Sequence, residues 1–181
     1  MSNRIIQKTL QVVLIVTLFG CTTSALADAE GFSSPSQAQI AEAASNPALI
    51  ADLLQGASPE QAALVVRAVI AAVIAQGDAI ENPSEQIESI VFIATQSIPA
   101  ESQPAFVAAL ASAVATTPVI SRSPWALSAV QAGANRGGAA EMNLGAVFAA
   151  SYSQTVEAQP PSQERVPIDT VIAPPYAGQQ I

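Results

Sequence analysis

The chain has no histidine, one cysteine and one lysine, and aromatic residues make up only 4% of its 181 positions. Each scarcity closes off a chemistry. Cys21 and Lys8 both lie within the first 27 residues, so beyond that stretch general acid–base and nucleophilic catalysis lack their usual side chains. Ser-His-acid and Cys-His arrangements are excluded, as are zinc sites built on Cys and His. A single cysteine cannot close a disulfide within the chain, which leaves cysteine usage silent on redox compartment. With so few aromatics, alanine and small aliphatics must fill the interior. Helices can then approach closely, although each contact contributes less than one made by a large ring.

Charge is also sparse, at 11% of residues, and what exists is acidic, with a net charge of −8. No basic patch is available to neutralise phosphates, which argues against nucleic acid and against anionic membrane surfaces as partners. The carboxylates offer little chemistry of their own. Glu85 and Glu88 stand three apart on one helix face, preceded by Asp78 and Glu81. A hard-cation site needs more oxygen ligands at defined loop spacing, and acids near a helix start are explained by the helix dipole. No cofactor and no metal site is expected, and the chain does not read as an enzyme.

What is present begins with an export signal over residues 1–27. Arg4 and Lys8 supply a positive start, Val12 to Phe19 an apolar run too short to span a bilayer comfortably, and Ala25-Leu26-Ala27 a small-x-small cleavage site. Cleavage after Ala27 removes two cations and no acid, taking the net charge from −8 to −10. A second motif competes with the first. Leu18-Phe19-Gly20-Cys21 resembles the lipobox of bacterial lipoproteins, which implies lipidation of Cys21 and attachment to a membrane through that anchor alone. The destination is thus periplasmic or secreted in one reading and membrane-anchored in the other.

The densest apolar stretch beyond the signal is Ser58 to Gly77. Ser58 is placed to cap, Pro59 occupies the first helical position, Gln61 completes a capping box and Gly77 ends the helix. Val65, Val66, Val69, Ile70, Val73 and Ile74 form one stripe, with alanines opposite, so both faces can pack. The same grammar recurs on either side. Residues 28–45 read as a small, polar linker with a short helical turn near Ile40 to Ala44. A helical domain is expected over 46–150. Asn46-Pro47 opens a short helix stopped by Gly56, and Asn82-Pro83 opens one striped by Ile87, Ile90, Val91, Ala94 and Ile98. Ser102 to Thr116 carries Phe106, Val107, Leu110 and Val114, with Pro118 ending it. Ser123-Pro124 opens a helix to Gly133, with Trp125 expected in the core, followed by a glycine-rich turn and a last helix from Ala139 to Ala150. Residues 151–181 read as a proline-rich extended tail, in which Val166 to Ala173 alternates well enough to add as an edge strand to another sheet.

These features predict an all-α fold, a small bundle of antiparallel αα-hairpins. Prolines at 47, 83 and 124 recur with the period of helical-hairpin repeats, so three stacked hairpins are an alternative. The expected function is that of an exported, non-enzymatic interaction or structural module, associating with a protein partner or with itself. The alternative is a helical binding protein for an apolar ligand or lipid, with Val69, Val73, Ile90, Phe106 and Leu110 lining its pocket. A third candidate site is the turn after Gly133, where backbone amides with Arg136, Gly137 and Gly138 could hold an anion ahead of the last helix. A flexible connection is the simpler reading of that turn.

Overall fold

The computed structural model describes residues 32–159, Ala140 excepted. The export signal with Ala27, the lipidation candidate Cys21 and the proline-rich segment from Pro160 onward lie outside the described residues. Among those described, every regular element is helical: α1 (Gln37–Ser45), α2 (Ile50–Leu53), α3 (Pro59–Gln76), α4 (Pro83–Ser97), α5 (Gln103–Ala115), α6 (Pro118–Ser121), α7 (Pro124–Gly137) and α8 (Leu144–Ala158), with short 3-10 turns between some of them. The all-α bundle expected from the residue pattern is the fold observed.

Helix α3 lies at its centre. Ser58 Oγ accepts from the Gln61 amide at 3.2 Å while Gln61 Oε1 accepts from the Ser58 amide at 2.9 Å. Two amides at the helix start are thereby satisfied. Gly77, at φ +49°, terminates the helix in a conformation that side chains disfavour. Between these ends Val66, Val69, Ile70 and Val73 are completely buried, and α3 packs against α1, α4 and α5. It is long and apolar enough to cross a bilayer. Its burial makes it the axis of the bundle.

Helix α1 departs from the expectation of a linker with one short turn. Ser36 and Gln39 form a second capping box, and Ile40, Ala43 and Ala44 are buried on the resulting nine-residue helix. Gln86 Nε2 donates to the Ala44 carbonyl at 3.0 Å, tying the end of α1 to α4. The small residues that suggested a linker are those that let a short helix sit close to α3. Likewise Pro118 does not simply end a helix. It opens α6, whose Ile120 is fully buried, because proline is tolerated at a first helical position.

Consecutive helices are not the principal partners. Helix α4 packs most extensively on α7, and α5 on α8 and α3, whereas α4 and α5 touch only slightly. The connection between these last two is instead held by Gln103, whose Nε2 donates to the carbonyls of Thr95 at 3.0 Å and Ile98 at 3.3 Å. Carbonyls left free at the end of α4 are satisfied there, in a buried position.

The α4–α7 contact depends on two glycines that were expected to lie in a turn. Helix α7 continues through Gly133 to Gly137. A Cβ on Gly133 would stand 2.6 Å from the Glu88 carbonyl oxygen and 2.9 Å from Val91 Cβ; on Gly137 it would stand 2.8 Å from Thr95 Cβ and 2.9 Å from the Phe92 carbonyl oxygen. The two backbones therefore lie against each other. Ala126, Ala129, Val130 and Ala134 complete the buried face of α7. The absence of side chains at 133 and 137 is a packing requirement that outweighs the roughly 1 kcal/mol of helix propensity each glycine forgoes.

Gly133→Ala and Gly137→Ala should each destabilise the protein by about 1–3 kcal/mol despite alanine's better propensity, because the backbone must shift. At the neighbouring exposed Ala132 the sign reverses, and Ala132→Gly should cost about 1 kcal/mol from propensity alone. Urea unfolding of the three variants checks both statements.

Candidate functional site

Pinning α7 to α4 through its glycine face leaves its opposite side for α8 and solvent. Helix α8 starts at Leu144, later than the expected Ala139, because Asn143 caps it by accepting from the Ala146 amide at 3.0 Å. It also runs on to Ala158, past Ser151, where an extended tail was expected to begin. Gln131 Nε2 donates to the Gly145 carbonyl at 3.2 Å, and the hydroxyls of Ser112 and Thr155 meet at 3.0 Å. The first joins α8 to α7, the second to α5.

The diverging halves of α7 and α8 leave an open groove of about 340 Å³, lined by Pro124, Leu127, Ser128 and Gln131 from α7 and by Phe148, Ala149, Tyr152 and Ser153 from α8. No acidic or basic side chain lines it. Phe148 forms the floor at 3% exposure and stacks with Tyr152, with ring centroids 6.0 Å apart. Trp125, expected in the core, is 42% exposed instead. It lies on α7, next in sequence to the lining residue Pro124. The physical reason is register: Ala126, Ala129 and Val130 take the inward face of α7, which turns position 125 outward. Val156, 45% exposed, continues the Tyr152 stripe one turn further along α8.

Comparison of the chain with protein-family models, with curated proteins and with solved structures finds no match.

The candidate apolar-pocket residues occupy the interior. Val69, Val73, Ile90, Phe106 and Leu110 are each 0% exposed and belong to one continuous core. Neither this groove nor a second one of about 310 Å³ beside Asn135, Met142 and Asn143 includes any of them. They are core packing.

The candidate anion turn is arranged otherwise than the residue order suggested. Arg136 Nη1 donates to Glu88 Oε1, and its guanidinium carbon lies 4.5 Å from the centre of the Phe92 ring. Gly137 is pressed against Thr95, and the Gly138 amide donates to the Ala134 carbonyl at 3.2 Å. All three lie at the C-terminal end of α7, where the partial charge is negative. An anion cradle is not formed by these residues. Phe92 is half-buried and carries this arginine over its ring. Among the described residues no group of three or more acidic, histidine or cysteine side chains could hold a metal ion.

The groove's floor and its rim should separate in stability measurements. Phe148→Ala should cost about 3–5 kcal/mol, as for a buried aromatic, whereas Trp125→Ala should fall within about 0.5 kcal/mol of the parent. Thermal melts of the two variants would show this difference directly.

Proposed function

We propose that this is an exported, non-enzymatic interaction module that contacts a protein partner, or a second copy of itself, through the α7–α8 face. The observation that carries the reading is Trp125. It is the chain's only tryptophan, it is 42% exposed on the helix that forms one wall of an uncharged groove, and with Val119 and Val156 it is one of the few large apolar side chains exposed among the described residues. Exposed aromatics beside a hydrophobic depression are the features that concentrate binding energy in protein interfaces. Acidity elsewhere on the body favours solubility and disfavours non-specific adsorption to nucleic acid.

Export rests on the N-terminal residues. Release after Ala27 gives a free protein beginning at Asp28, and lipidation at Cys21 gives an anchored one. Both deliver the helical body outside the cytoplasm. A body with no histidine, lysine or cysteine after residue 27 is suited to work by shape and apolar contact.

Intact-mass analysis of the exported product should find a chain beginning at Asp28 or a lipidated Cys21; an unprocessed Met1 would contradict export. Light scattering of that product should show a species larger than the monomer, or a stoichiometric partner, that Trp125→Asp combined with Tyr152→Asp abolishes without loss of helical signal. A monomer at every concentration, or an association indifferent to those two substitutions, would refute the role of this face.

A further inference from the structure

We propose that the partner of the α7–α8 face is a second copy of this chain, docked about a two-fold axis so that Arg122 of each copy meets Glu157 of the other. The inference rests on the reading of that face as a contact surface, and names what covers it.

Charge divides the described body in two. Residues 32–101 carry eight acids and one arginine, a net charge of −7, whereas residues 102–159 carry two acids and two arginines and are neutral. Copies with an overall charge of −8 repel one another unless they approach through a region that contributes nothing to that charge. Exposed charges are largely screened beyond about 8 Å at physiological salt, so acids a helix diameter or more from the contact count little once the neutral halves meet. The exposed apolar surface coincides with the neutral half. Val119 on α6, Trp125 on α7 and Val156 on α8 are the large hydrophobic side chains exposed among the described residues, and all three lie beyond residue 101.

The path of the chain gathers these elements at one end of the bundle. Helix α6 leads into α7 through Arg122 and Ser123 alone. Pro124, the first residue of α7, shares the groove lining with Tyr152 and Ser153 of α8. The Ser112 hydroxyl, shortly before α5 gives way to α6, meets that of Thr155 at 3.0 Å, and Val156 and Glu157 follow directly. Arg122 and Glu157 are both exposed. Neither takes part in an ion pair among the described residues, where the paired arginine is Arg136, with Glu88. One cation and one anion beside an uncharged apolar face make that face complementary to itself, because a two-fold rotation sets each residue against the other's counterpart. A partner surface of a single sign would leave one of the two opposed by like charge.

Light scattering of the mature chain should show a dimer. Arg122→Glu and Glu157→Arg should each raise its dissociation constant about tenfold or more, since each sets like charges opposite one another twice per dimer. The chain carrying both substitutions should return to within about threefold of the parent. Net charge separates this outcome from a general effect: R122E makes the chain more negative by two and E157R less negative by two, so bulk repulsion alone would weaken one dimer and strengthen the other. Both positions are exposed, and the helical melts of all three variants should match the parent. A parent that stays monomeric at every concentration, an E157R chain that dimerises more tightly, or a double variant no tighter than the single ones would overturn the proposal. A different protein that binds the monomer through Trp125 and Tyr152 would also overturn it while leaving the contact face standing; no association at all through those two residues would remove both.

Discussion

Direct backbone contact between α4 and α7 is the constraint on which the second half of the structure depends. Gly133 and Gly137, one helical turn apart, remove the side chains that would hold these helices a normal distance apart. Val91 and Thr95 on α4 and Ala134 on α7 are then fully buried. Because α7 is fixed in rotation by this contact, Trp125 and Leu127 must face away from α4. Helix α8 closes over what remains, and the groove is where it fails to close completely.

The same principle of small side chains operates throughout. Ala43, Ala44, Ala62, Ala63, Ala94, Ala111 and Ala126 are essentially inaccessible, so the bundle adds close approach to the burial of its larger Ile, Leu and Val side chains. Proximity gains many weak dispersion contacts per residue, and it leaves little tolerance for added volume. The large rings are Phe106 inside the body and Phe148 stacked with Tyr152. The polar bonds that matter are at the joints. Gln103 between α4 and α5 and Gln86 at the end of α1 satisfy carbonyls that helix ends leave open.

Much of the fold was legible in residue order. The cap at Ser58, prolines at first helical positions and the stripes of α3, α4 and α5 are local signals, and they place helices correctly because capping and periodicity act within a few residues. Partnering was not legible, since hairpin logic assigns each helix to its sequence neighbour while α4 lies on α7 and α5 on α8. Gly133 and Gly137 illustrate the difficulty. Glycine near the end of an apolar run signals a turn by propensity, and only the distribution of Ala126, Ala129, Val130 and Ala134 on the same face, at helical spacing, indicates close approach instead. Of the candidate sites, the five apolar residues are core packing, Arg136, Gly137 and Gly138 end α7 instead of opening the next helix, and the groove is built by two helices whose pairing no short motif announces.

The proposed contact face is only as fixed as α7. Hydrogen exchange of backbone amides reads that directly, since protection reports the free energy of local opening. The account predicts that amides of Val91 to Thr95 and of Val130 to Ala134 exchange as slowly as those of Val66 to Ile70 in α3, all limited by global unfolding. Exchange in α7 that is orders of magnitude faster than in α3, with α3 still protected, would contradict it.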